Sequence, residues 1–298
     1  MNAGLTLDEI DRDGRLGTLD MACPFCGPYR RSAVNRRRKV LRVWRIDPGY
    51  ATYHCVRCGE QGYARDTSTT QGRPDFSHVR KTPPPKRACI DDNGRSDFAA
   101  RIWQESVDPR GSLAERYLNG RGLALPDDLA LRVLRFHGHC PFGKNDAGKV
   151  IYAPALIAAF RPICEDDESK PPPAIHRIGL KPDGTKIGKK MLGPVAGCAV
   201  KLDADDAVEE GLGICEGVET GLAIRAIGWR PVWALGSAGA IRLLDPIPGI
   251  EALTIFADND ESGTGIEAAR ECAQRWADAG LEATIRTPNR DGKDWADV

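Results

Sequence analysis

Four cysteines in two close pairs, Cys23-Pro24-Phe25-Cys26 and Cys55-Val56-Arg57-Cys58, constrain this chain more than any other feature. Each C-x2-C spacing bends the backbone into a knuckle that turns two thiolates toward one ion, and two knuckles complete a tetrahedron. The interval between them reads as two strands, 39–46 and 50–54, joined by Asp47-Pro48-Gly49. A hairpin there returns the second knuckle to the first. The expected ion is zinc held by Cys23, Cys26, Cys55 and Cys58. With every position filled by protein, no site is open for water chemistry, and the metal supplies folding free energy to a module too small to fold on its core.

The other six cysteines are scattered, which suits small buried hydrophobes. The expected location is the cytoplasm, and in a reducing compartment cysteine pairs at close spacing bind metal more often than they form disulfides. No apolar run is long enough to cross a membrane, and the polar N-terminus lacks the apolar core of a signal peptide. Formal net charge is zero, but the charges are segregated. Between Met21 and Ile46 there is no carboxylate, while Arg30, Arg31, Arg36, Arg37, Arg38, Lys39, Arg42 and Arg45 all fall there. Arg37, Arg38 and Arg42 with Trp44 form a candidate nucleic-acid surface, cations on phosphates and aromatics on bases. Trp44 and Tyr53 suit the minimal core of the metal module equally well.

The chain divides into a polar lead-in (1–20), the cysteine module (21–65), a Ser/Thr/Gly/Pro-rich linker (66–95), a middle domain (96–206) and a last domain (207–298). The middle domain reads as α+β: helices at 96–106 and 113–119, then strands at 131–136, 154–161, 174–180 and 191–192, with Pro182-Asp183-Gly184-Thr185 as a turn. Around that turn Arg177, Lys186, Lys189 and Lys190 are candidates for binding template or nucleoside triphosphates, against the alternative of solvated hairpin lysines. Gly184 to Lys190 is not a P-loop: the spacing is one residue short, no Ser or Thr follows the lysine, and no helix begins there. Helicase activity is therefore expected on a separate chain. The last domain alternates short apolar strands with helices, which implies a parallel α/β sheet covered on both faces.

In such a sheet, ligands lie beyond the carboxyl ends of the strands. Glu216 follows the first strand, Asp258 and Asp260 the third, and Asp294 and Asp297 lie in the terminal Gly292-Lys293-Asp294-Trp295-Ala296-Asp297. Carboxylates gathered at one edge repel one another and call for a cation; hard oxygen donors select Mg²⁺ or Mn²⁺. Phosphoryl transfer needs that arrangement.

On Glu216-Gly217, Ala234-Leu235-Gly236-Ser237-Ala238-Gly239, Ala257-Asp258-Asn259-Asp260 with Gly263 and Gly265, and Gly292-Lys293-Asp294, nearly all of 207–298 resembles the Toprim family of primases, topoisomerases and nucleases. The stretch Tyr53 to Gly62 is similar to the second knuckle of the zinc module of bacterial DnaG-like primases, with Cys26 where that family often has histidine. The middle domain resembles, more loosely, the segment before Toprim in phage and plasmid primases, through Tyr117-Leu118, Arg121-Gly122-Leu123, His176-Arg177 and Leu192-Gly193-Pro194. These resemblances imply a multidomain fold of zinc ribbon, α+β middle domain and C-terminal Toprim domain. They imply a primase making RNA primers on single-stranded DNA from nucleoside triphosphates, with Glu216 as general acid/base and also a magnesium ligand, Asp258 and Asp260 as catalytic magnesium ligands and Asp294 completing the acidic group. Thr220 stands where bacterial primases tend to be acidic, with Glu219 one position earlier. A Toprim nuclease, or a non-catalytic recombination mediator pairing a zinc motif with Toprim, are the competing readings.

Overall fold

The computed structural model describes residues 4–10, 14–29, 36–66, 94–164, 168–258, 263–288 and 295. The chain forms two compact units, Met1–Arg87 with Ile247–Gly249, and Ala88–Pro246 with Ile250–Val298.

The first unit is an antiparallel four-stranded sheet in sequential order. It comprises β1 (Gly17–Ala22), β2 (Lys39–Asp47), β3 (Tyr50–Cys55) and β4 (Gln61–Arg65), preceded by the single-turn helix α1 (Leu7–Ile10). The hairpin expected between the knuckles is β2–β3. The polar lead-in expected over 1–20 is not separate: Gly17 to Asp20 lie in β1 and pair with β2, and Leu5 and Ile10 are buried in the ribbon core. Too few apolar residues fall in that stretch to show a period, so its strand is visible only through its partner. Strand β3 alternates, burying Ala51, Tyr53 and Cys55. Tyr53 thus belongs to the core, its ring stacked on Phe25 at 6.2 Å. Gly62 makes room for it, since a Cβ there would lie 2.5 Å from the Tyr53 hydroxyl.

The second unit holds helices α2 (Arg95–Glu105), α3 (Leu113–Gly120), α4 (Val218–Ala226), α5 (Ala238–Arg242) and α6 (Thr264–Asp278). Its strands are β5 (Leu134–Lys144), β6 (Val150–Pro162), β7 (Ala174–Leu180), β8 (Lys186–Leu192), β9 (Cys198–Lys201), β10 (Gly211–Cys215), β11 (Val232–Ala234), β12 (Ala252–Phe256) and β13 (Glu282–Arg286). The expected strand–helix alternation holds: β13, β12, β10 and β11 run parallel in that spatial order. The sheet does not stop there. Strand β9 pairs antiparallel with β11, β6 with β9, β7 with β6 and β8 with β7, giving nine strands once β5 is added beside β6. Strand β8 is longer than the two residues expected from sequence, because its Lys-Ile-Gly-Lys-Lys run reads as a turn. Lysines on the terminal strand are how a sheet protects its edge from pairing.

One core spans both halves of this sheet. Leu118 of α3, Leu156 and Phe160 of β6 and Ile178 of β7 pack with Leu202, Val218, Leu222 and Phe256. The opposite face of β6 and β7, with Ile157, Ala159 and Ile175, packs under Ile102 and Trp103 of α2. Eight of the nine residues of α4 are buried. Gly221 lets α4 approach closely, since a Cβ there would stand 2.3 Å from Leu202 Cδ1.

Buried charge fastens the junction between the antiparallel and parallel strands. The Asp203 carboxylate is wholly enclosed and accepts from Arg230 Nε at 2.7 Å and from the Val232 amide at 2.8 Å. Arg225 lies 3.3 Å from it and also meets Asp128 at 2.6 Å. Arg230 and Asp128 are half exposed, but removing Asp203 strips the buried Arg225 of one of its two carboxylates and leaves the enclosed Val232 amide without its acceptor. Asp203→Ala is expected to destabilise this unit by about 3–5 kcal/mol, measured by urea unfolding; a loss under about 1 kcal/mol would show that the junction rests on packing alone.

Candidate functional site

The cysteines come first because their geometry is closed. The Sγ atoms of Cys23, Cys26, Cys55 and Cys58 all lie within 4.8 Å of one another. Cys23 and Cys58 are 3.8 Å apart, Cys26 and Cys55 3.9 Å. A tetrahedron of thiolates about 2.3 Å from zinc has edges of about 3.8 Å, so the donor set fits that ion. Each knuckle is closed by a backbone bond, Gly27 N to Cys23 O and Gly59 N to Cys55 O, both 2.9 Å. Gly59 takes φ 74°, which explains a glycine there.

The surface beside it is less open than the run of arginines suggests. Arg42 donates two bonds to Asp20, both 2.9 Å. Arg38 is buried, Trp44 is half-buried and Arg37 is exposed. Asp20, in the strand that sequence reading missed, is what occupies Arg42.

In the second unit the acidic edge is built by register. Cys215 of β10 lies opposite Phe256 of β12. Glu216 is the next residue along β10 and Asp258 the second residue past Phe256, so the two carboxylates leave neighbouring parallel strands one residue out of step. The chain past β11 is held alongside, with Gly236 N donating to Glu216 O at 2.8 Å. Trp295 packs edge-on against Phe256 and donates to the carbonyl of Ala257, 3.2 Å away. Asp260, Asp294 and Asp297 lie outside the described residues, as does the 67–93 part of the expected linker. Among the described residues the four cysteines are the one group of three or more metal-type ligands drawn together. Glu216 and Asp258 supply two hard oxygen donors to the other edge.

Two lysines of β8 meet this edge. Lys189 Nζ is 2.9 Å from Glu216 Oε1, and Lys186 Nζ is 2.6 Å from Glu219 Oε1. Burial alone would lower the Lys189 pKa; the bond to Glu216 and the charges of Glu216, Glu219 and Asp258 outweigh it and raise it. Strand β8 stands five strands away from β10 in the order β10-β11-β9-β6-β7-β8. A flat sheet would hold them about 24 Å apart, so the sheet curls to bring β8 onto the carboxyl edge of the parallel strands.

The two pairs differ in strength. Lys189 and Glu216 keep 44% and 29% of their side chains exposed. Exposed pairs contribute about 0–1 kcal/mol. Glu219 keeps 10% exposed and is also held by the Tyr117 hydroxyl at 2.8 Å. Only the carboxylate of that pair is buried, so breaking it costs more than the surface value but less than the roughly 3–5 kcal/mol of a fully enclosed pair. Burial would raise the Glu219 pKa, but the charge and hydrogen bond of Lys186, with the Tyr117 hydroxyl, hold it down at about 2. Tyr117 was not among the sequence candidates for the site; its one signal is a polar tip on an otherwise buried helix face. Thr220, at the position where bacterial primases tend to be acidic, is buried.

The other two cations of the group serve the sheet. Arg177 is buried and bonds to the carbonyls of Pro141 and Met191. Lys190, opposite Arg177 in register, lies over the Phe142 ring on the face away from Lys186 and Lys189. Strand alternation sends Lys189 and Lys190 to opposite faces. His176, beside Met191 on the same face as Lys189, is 1% exposed, and burial pulls its pKa down to about 4.

Because the Glu219 pKa is lowered on folding from 4.5 to about 2, its contribution to stability is complete above pH 4.5 and lost as pH falls toward 2. Glu219→Gln is expected to flatten that part of the acid-unfolding curve, followed by circular dichroism from pH 5 to pH 2; an unchanged slope would mean that the Lys186–Glu219–Tyr117 contact does not stabilise the fold.

Residues 93–202 match a family described as a domain of unknown function (DUF7146). The chain is similar to a DNA primase domain from Pseudomonas aeruginosa, at 16% identity over 68% of this chain and 74% of that one, with a TM-score of 0.49. It is also similar to the Escherichia coli primase catalytic core (16% identity, 68% and 72% covered, TM-score 0.41) and to a DnaG primase catalytic domain bound to single-stranded DNA (17% identity, 68% and 73% covered, TM-score 0.46). No curated protein matches the chain. Residues 211–298 match the family described as Toprim domain. Together with the parallel sheet and the Glu216–Asp258 edge, that match identifies the C-terminal part of this chain as a Toprim domain.

Proposed function

We propose that this protein is a DNA primase of the phage or plasmid kind, acting in the cytoplasm, that makes short RNA primers on single-stranded DNA from nucleoside triphosphates. The observation that carries the reading is the edge itself. Carboxylates on neighbouring parallel strands face lysines of β8, so donors for a divalent cation and cations for phosphate meet in one place. Glu216 and Asp258, with Asp260 and Asp294 of the same motifs, would hold Mg²⁺ or Mn²⁺. Bound there, the ion would neutralise triphosphate charge and align the attacking and leaving oxygens.

The chain's own groups do the rest. Glu216 accepts the proton of the attacking hydroxyl as its oxygen bonds to the α-phosphorus and pyrophosphate leaves. Lys186 neutralises Glu219, and Lys189 offers its ammonium to the triphosphate. The ribbon, with zinc on its four cysteines, would offer the exposed Arg37 and the half-buried Trp44 to the template, while Arg38 is buried and Arg42 is held by Asp20. Strand opening is left to a separate replicative helicase.

Incubation with single-stranded DNA, labelled triphosphates and Mg²⁺ tests the reading. New short oligonucleotides are expected; degraded template would assign the edge to a nuclease, and binding without turnover to a recombination mediator. Glu216→Gln and Asp258→Asn are expected to lower synthesis by about 100-fold or more while DNA binding persists. Normal synthesis by both variants would remove the edge from the mechanism. Cys55→Ser is expected to abolish stoichiometric zinc, measured by elemental analysis, and to weaken template binding.

A further inference from the structure

The Lys189 ammonium already behaves as a cation on the acidic edge. It touches Glu216 at 2.9 Å, and the charges of Glu219 and Asp258 act on it from the same side. We propose that Lys189 occupies the place of the divalent cation: the Lys189–Glu216 pair and metal binding exclude one another, and metal entry releases Lys189 toward the phosphates of the incoming nucleotide. The inference rests on the metal-dependent reading of the edge and adds to it the exchange of one cation for another.

Three observations support the exchange. Lys189 is half exposed, so its pair with Glu216 is weak and opens readily. Lys186, the neighbouring lysine on the same face, is not free to follow: its partner Glu219 is buried and shared with Tyr117, so that pair persists and Glu219 stays out of the metal's ligands. The charge balance also changes sign. Among the described residues, the three carboxylates Glu216, Glu219 and Asp258 face the two ammonium groups of Lys186 and Lys189, leaving one net negative charge. A divalent cation turns this into one net positive charge, so the edge attracts a triphosphate only after metal has entered and Lys189 has left Glu216.

The test is Mn²⁺ binding to the full chain without nucleotide, followed by electron paramagnetic resonance. Lys189→Met, which removes the competing charge, is expected to bind Mn²⁺ about five- to tenfold more tightly than the unaltered chain. Lys189→Arg, which keeps the charge, is expected to bind as the unaltered chain does. Lys190→Met makes the same change of net charge on the opposite face of the sheet and is expected to leave the affinity unchanged. Equal affinities for Lys189→Met and the unaltered chain would overturn the exchange, as would a gain for Lys190→Met as large as that for Lys189→Met. If Glu216→Gln and the unaltered chain bind Mn²⁺ equally, the metal-dependent reading itself falls and the exchange with it.

Discussion

Carboxylates at the carboxyl edge of a parallel sheet repel one another, and in this protein the answering positive charge comes from the far end of the same sheet. Lys186 and Lys189 sit on β8, five strands from the strand that carries Glu216, and reach it only because the sheet curls over. The antiparallel half is therefore part of the site. The core that joins α3, β6 and β7 to α4 and β10 is what holds the curl, and the enclosed Asp203 fastens the strand junction in its middle.

Burial sorts the two lysines into different tasks. The pair that shares Tyr117 has its carboxylate buried and held by two donors, so it stays in place. The pair with Glu216 is wet and exchangeable, because water already competes for both partners. Neighbouring side chains of one strand thus give a fixed neutraliser and a mobile cation. The difference follows from where α3 covers the sheet.

Much of the architecture was legible beforehand. The spacing of Cys23, Cys26, Cys55 and Cys58 announced the ribbon, since two knuckles and a hairpin leave little choice of geometry. The parallel strands were legible because short apolar runs between helices have one common packing. Strand β1 and most of β8 were not, for opposite reasons. The first has too few apolar residues for a period, and the second carries the polarity of a terminal strand, which reads as a turn.

The site divides in the same way. Glu216 and Asp258 could be named from sequence because each directly follows an apolar strand, and a strand end in a parallel sheet is a place as well as a position. The partners of the cations could not. Nothing in the order of residues tells that Arg42 meets Asp20, that Arg177 is spent on backbone carbonyls, or that Lys186 and Lys189 face the carboxylates while Lys190 faces away. Local spacing determined which groups carry the chemistry, because it acts through bonds along one segment. Which charge answers which was decided by tertiary structure, because curl and strand register bring together residues that sequence keeps far apart.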